Sequence, residues 1–97
     1  MVRGLVDLLI LQSARLEGII EAISKGELSI LDLTSEYSKM VISDIFFTTL
    51  EIEMATDKEE LNSKNVLFIM HALDKSAKVM HKLDSLISSL VSFERGE

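Results

Sequence analysis

Residues 64–93 read KNVLFIMHALDKSAKVMHKLDSLISSLVSF, and this stretch decides the fold class. Its apolar side chains recur at steps of three and four residues, which is the spacing of one face of an α-helix. The stripe consists of Val66, Ile69, Leu73, Ala77, Met80, Leu83, Ile87 and Leu90. Phe68, Val79 and Leu86 widen it to about half of the helix circumference, more than one neighbouring helix covers. We therefore predict a long helix that packs against at least two others.

The same spacing predicts a first helix over residues 2–24. Gln12 is the single polar member of its stripe, and the other members are Leu5, Leu9, Leu16, Ile19 and Ile23. Gly26 follows Lys25 and predicts the end of this helix, because glycine readily adopts the left-handed conformation found just after many helices. A cation in the last turn is also favourable for the helix dipole.

A second helix is predicted to begin between residues 29 and 35 and to continue to about residue 55. Ser29, with Asp32 three residues later, resembles a capping box, while Thr34 and Ser35 are competing caps. Apolar residues lie almost all round this helix. We therefore expect the second helix to be buried on most of its sides.

Residues 46–54 also fit a strand, because Leu50 and Met54 alternate with Glu51 and Glu53 and β-branched residues are frequent. The helical interpretation is favoured, since the chain offers no second strand to satisfy the backbone of the first. The polar residues 56–65 predict a turn that leads into the last helix, with Asn62 or Ser63 as its cap.

The composition indicates one domain over residues 1–97, since a second does not fit in 97 residues. Proline and cysteine are absent and 47% of the residues are hydrophobic, which is more than so short a chain readily buries alone. The predicted fold is all-α, an antiparallel helical bundle of about three helices completed by homodimerisation. Residues 26–61 carry two basic and nine acidic side chains, and residues 62–97 carry five and four. This difference in charge favours packing of the second helix against the third.

Several classes of function are disfavoured by the charge and hydropathy patterns. The net charge of −6 comes without a basic cluster, so the electrostatic attraction that drives nucleic-acid binding is missing. The N-terminal residues are interrupted by charges too soon for a spanning helix or a secretory signal, so no membrane partner is expected. The lack of cysteine fits a reducing compartment, and we expect a cytoplasmic protein.

A candidate contact surface is formed by small residues at every fourth position of the first helix. Ala14, Gly18 and Ala22 share a face with Leu11, and glycine inside a helix often permits close approach of another backbone. The competing interpretation is a tolerated glycine on a solvated face. Together with the residues that widen the stripe of the last helix, the predicted oligomer interface is Leu11, Ala14, Gly18, Ala22, Phe68, Val79 and Leu86.

Two sets of polar residues have the spacing of a chemical site. His71 with Asp74, and His81 with Asp84, share helix faces, but neighbouring lysines would oppose a bound cation and a solvated face is favoured. One-turn pairs of carboxylates could hold Mg²⁺ in a helical hydrolase, and these are Glu17 with Glu21 and Asp32 with Glu36.

The predicted function is that of a non-catalytic protein interaction or regulatory module acting through helix–helix association. Its expected partner is a second copy of the chain or another helical protein, and no catalytic residue, cofactor or metal site is predicted. The alternative is a small carboxylate-dependent metal hydrolase with its site at a helical dimer interface.

Overall fold

The computed structural model describes residues 2–56 and 63–94, and everything in these ranges that is regular is helical. Helix α1 is Val2–Ser24, a short 3₁₀ turn is Ile30–Thr34, α2 is Glu36–Thr56 and α3 is Ser63–Glu94. The all-helical prediction is confirmed. The strand interpretation of residues 46–54 is wrong, since they lie inside α2. The possible cap at Asn62 lies outside the described residues.

The connection from α1 to α2 follows its capping signals. Gly26 adopts a positive φ of 78°, and the N–H of Glu27 donates to the carbonyl of Ala22 at 2.8 Å, which closes α1. Ser29 and Asp32 form the predicted capping box, but on the 3₁₀ turn. Helix α2 starts later, where the N–H of Ser38 donates to Ser35 Oγ at 3.2 Å.

Helix α1 is the centre of the molecule, and α2 and α3 both pack along it while hardly contacting each other. Leu9 and Leu16 of the predicted stripe are completely buried, and Gln12 is buried with them. A second stripe on α1 is buried too, because α1 has two neighbours; it contains Val2, Val6, Ser13 and Ile20. The predicted packing of α2 against α3 is therefore wrong, since burial of α1 outweighs weak attraction between surface charges.

Two long-range contacts fix the direction of the helices. Arg3 lies over the ring of Phe68, and Lys82 contacts Glu17, so α1 and α3 run parallel with a constant separation of 65 residues. The seven Cα steps from Thr56 to Ser63 reach at most about 25 Å. Because α2 is itself about 32 Å long, it must run back along α1 for α3 to begin where α1 begins. The chain therefore goes up, down and up.

The resulting molecule is elongated and thin. Its extents are 52 × 25 × 19 Å, and its radius of gyration is 15.5 Å, compared with about 12.5 Å for a compact domain of this length. The long axis corresponds to the 32-residue helix α3. A molecule only two helices thick has little interior, so much of its apolar surface stays accessible.

Candidate interaction surface

Five large apolar side chains point away from the core along α2. The exposed fractions are 49% for Met40, 61% for Phe46, 65% for Phe47, 51% for Leu50 and 54% for Met54. We call these five residues the outer face of α2. The expectation that α2 is buried on most sides is wrong, because α1 covers one side and α3 hardly touches the helix.

The outer face has a regular heptad spacing. Residues 40, 43, 47, 50 and 54 follow one another at steps of three and four, with Ser43 as the single polar member. The buried residues of α2, at positions 38, 41, 45, 48, 52 and 55, repeat in the same way. At about 100° per residue the two stripes lie roughly 150° apart round the helix. Alpha helices with two such stripes can contact neighbours on both sides.

Charged side chains border the outer face in an asymmetric way. Lys39 and Glu53 lie on the flank of Phe46, whereas Asp44 and Glu51 lie on the flank of Phe47. Helix α2 contains four acidic residues and one basic residue, which leaves it with a net charge of −3. The first flank therefore carries both signs of charge, and the second carries only negative charge.

Helix α3 has a second heptad stripe beside its buried one, but this stripe is less complete. Leu73 and Met80 of this stripe already pack against the core, and Asp84 interrupts its lower half. The remaining members have exposures from 38% at Val66 to 61% at Met70. The outer face of α2 is thus the more continuous of the two apolar surfaces.

The residues of the predicted interface do not form one surface. Val79 is buried in the core of the chain, and Phe68 and Leu86 pack against it. On α1, Ala22 is half-buried, whereas Leu11, Ala14 and Gly18 are exposed. A Cβ on Gly18 would meet no described atom within 4 Å, so nothing in the described chain approaches this glycine. The spacing of residues 40, 43, 47, 50 and 54 could have identified the outer face of α2, which the sequence analysis missed.

A shallow cleft of 440 Å³ separates α1 from α3 and is lined by Glu17, Lys75, Lys78, His81 and Lys82, among others. Lys82 Nζ donates to Glu17 Oε1 at 2.7 Å, and Lys78 pairs with Asp74 at 3.0 Å. The hydrogen bond and charge of Lys82 lower the pKa of Glu17, and Glu17 in turn raises the pKa of Lys82. Two of the lysines of this cleft thus have carboxylate partners.

The candidate metal ligands are apart or engaged elsewhere. Glu17 accepts the hydrogen bond from Lys82, and Asp32 Oδ2 accepts one of 2.7 Å from the N–H of Ser29. His71 and His81 are both exposed. Within residues 2–56 and 63–94, no three histidine or carboxylate side chains come close enough together to hold a metal ion.

Comparison with known proteins leaves the chain on its own: it matches no protein-family model, no curated protein and no solved structure. None of the described helices is long and apolar enough to cross a bilayer. The class that the fold defines is an all-helical protein of three packed helices, with an uncovered apolar stripe on α2.

Proposed function

We propose that the protein is a non-catalytic interaction module that acts through helix–helix association, with the outer face of α2 as its contact surface. The observation that carries this proposal is the half or greater exposure of five large apolar side chains in one stripe. Polar or charged residues would be favoured at these positions if they only faced water. We also propose the cytoplasm as the location, since small exported domains commonly depend on disulfides and this sequence has no cysteine.

The size of the exposed apolar area supports a role in binding. Taking roughly 200 Å² for a fully exposed large side chain, the outer face presents on the order of 550 Å². This area is near the upper end of the largest apolar patch found on typical monomers, about 300–600 Å². The chain as a whole exposes 6595 Å², against roughly 5,600 Å² for a globular monomer of its mass. The excess is comparable to the area that one partner buries in a standard interface.

The spacing of the outer face supports a helix as the partner. Side chains at alternating steps of three and four residues insert between those of a neighbouring helix, because both helices then present the same repeat along their contact. A flat or strand-like partner gains nothing from this repeat. We therefore propose association with a helical protein.

A matched pair of substitutions tests the proposed contact surface. Leu50 on α2 and Leu11 on α1 are the same residue type in mid-helix, with exposures of 51% and 49%. Leu50→Glu is expected to abolish association while leaving helicity and the unfolding temperature close to those of the wild type, whereas Leu11→Glu is expected to leave association unchanged. Light scattering and circular dichroism measure both properties.

Photo-cross-linking makes the test independent of who the partner is. A benzophenone amino acid replaces Phe47 in one variant and Leu11 in the other, and each is irradiated both as pure protein and in an extract of its source cells. The proposal expects an adduct of defined mass from position 47 and none from position 11. Absence of any adduct from position 47 in both samples would overturn the proposed function.

A further inference from the structure

We propose that the helix bound on the outer face of α2 is α2 of a second copy of this chain, running antiparallel about a two-fold axis beside Phe47. This inference rests on the proposed function and names the partner of the same surface. It is carried by three properties of α2, namely the order of side chains along the stripe, the charges on its flanks and the area it exposes.

The outer face is nearly the same when it is read in either direction. Met40 and Met54 lie seven residues before and after Phe47, so an antiparallel copy brings Met40 opposite Met54 of the second copy and Phe47 opposite its own equivalent. Ser43 then lies opposite Leu50 of the second copy, where a small side chain makes room for a larger one. Every layer thus contains at least one large apolar side chain, which an isologous contact requires.

The flanking charges select the same arrangement. In an antiparallel pair, each flank of one helix meets the same flank of the other. Lys39 and Glu53 share the flank of Phe46 and lie on opposite sides of the two-fold axis, so Lys39 comes close to Glu53 of the second copy, and the reverse contact forms by symmetry. In a parallel pair, equal residues stand level along the two helices, and neither contact forms.

The exposed area agrees with that of a dimer. A standard interface buries about 600–1,000 Å² on each partner. If about 60% of it is apolar, the roughly 550 Å² of the outer face corresponds to a contact of about 900 Å² per copy. The flanking residues of α2 supply the polar remainder.

Cysteine cross-linking tests the arrangement directly, because the natural chain contains no cysteine. The variants are Phe47→Cys, Met40→Cys and Met54→Cys, each oxidised alone, and an equal mixture of the last two. A disulfide needs Cα atoms about 4.4–6.8 Å apart. In the antiparallel dimer residue 47 meets its own copy, whereas the two copies of residue 40 are separated by about 21 Å along the axis.

The expected result is a disulfide-linked dimer from Phe47→Cys alone and a mixed dimer from Met40→Cys with Met54→Cys, but none from either of these alone. Light scattering of the wild type is expected to give twice the monomer mass. Linking of all three single variants would show a parallel pair and overturn the proposed arrangement. A monomeric wild type without disulfides would overturn the second copy as partner, and the photo-adduct from position 47 in cell extract would then decide separately whether the proposed function stands.

Discussion

Lys82 on α3 donates a hydrogen bond of 2.7 Å to Glu17 on α1, 65 residues earlier in the chain. Arg3 lies 4.1 Å from the ring centre of Phe68, with the same separation in sequence. The two contacts lie 14 residues apart on each helix, about 21 Å along the axis. They therefore hold α1 and α3 in one register, because sliding either helix by a turn would break both.

The first prediction concerns the pH dependence of the Glu17–Lys82 pair. Lys82→Met is expected to lower the free energy of unfolding at pH 7 by more than Lys78→Met, because Lys78 pairs with Asp74 inside α3 and links no helices. Since Lys82 lowers the pKa of Glu17, this contribution is present above the ordinary value of 4.5 and is lost as the pH falls through the lowered folded pKa.

Urea unfolding of the two variants at pH 7 and pH 3, at one protein concentration, measures the difference. The gap between them is expected to shrink at pH 3. It is also expected to close in strong alkali, because the raised pKa of Lys82 means that its contribution is lost as the pH rises through that value. A gap that stays constant with pH would show that the aliphatic part of Lys82, and not its charge, stabilises the contact.

The second prediction concerns the buried polar residues of α1. Gln12 Oε1 and Ser13 Oγ are buried, and neither has a hydrogen-bond partner among the described residues. A buried acceptor or hydroxyl without a partner costs about 1–3 kcal/mol. Gln12→Met, which keeps the length of the side chain, is therefore expected to stabilise the fold by about 1–2 kcal/mol and to raise the unfolding temperature by roughly 4–15 °C.

Differential scanning calorimetry measures this shift. Ser13→Ala serves as a second variant and is expected to change stability in the same direction by a smaller amount, since it removes one hydroxyl and leaves a small cavity. Loss of stability in Gln12→Met would instead mean that Gln12 makes a hydrogen bond that supports the fold.

The sequence contained the helices but not their arrangement. The predicted bounds of the first helix, 2–24, are those of α1, and the predicted capping box at Ser29 is present. Spacing shows which residues share a face, but it does not show what covers that face. The apolar residues all round α2 were therefore taken as burial, although α1 covers only one of the two stripes. Net charges also failed to place α2, because exposed pairs contribute only a few tenths of a kcal/mol.

The third prediction concerns Gly18, which the sequence analysis placed in an interface. Since a Cβ there meets no described atom within 4 Å, Gly18→Ala is expected to stabilise the fold by about 0.5–1 kcal/mol through its higher helix propensity. Gly18→Leu is expected to leave the molar mass in solution unchanged. Dissociation of the Gly18→Leu variant would transfer the contact surface from α2 to the small-residue face of α1.

The fourth prediction concerns the charges beside the proposed two-fold axis. Lys39→Glu places two like charges opposite each other on each side of the dimer, and exposed pairs of this kind change the free energy by about 0.2–1 kcal/mol each. The dimer dissociation constant is therefore expected to rise about three- to tenfold. Adding Glu53→Lys in the same chain restores opposite charges, and the double variant is expected to return close to the wild-type affinity.

The matched control is Lys39→Glu combined with Glu27→Lys, which has the same net charge but changes an exposed residue outside α2. This control is expected to remain weakened, because general repulsion between the acidic chains is restored to its original level while the contact with Glu53 is not. Sedimentation equilibrium at 0.1 M salt, where charges interact over about 10 Å, measures the three constants. Equal recovery in both double variants would attribute the effect to net charge, and the antiparallel pairing of Lys39 with Glu53 would lose its support.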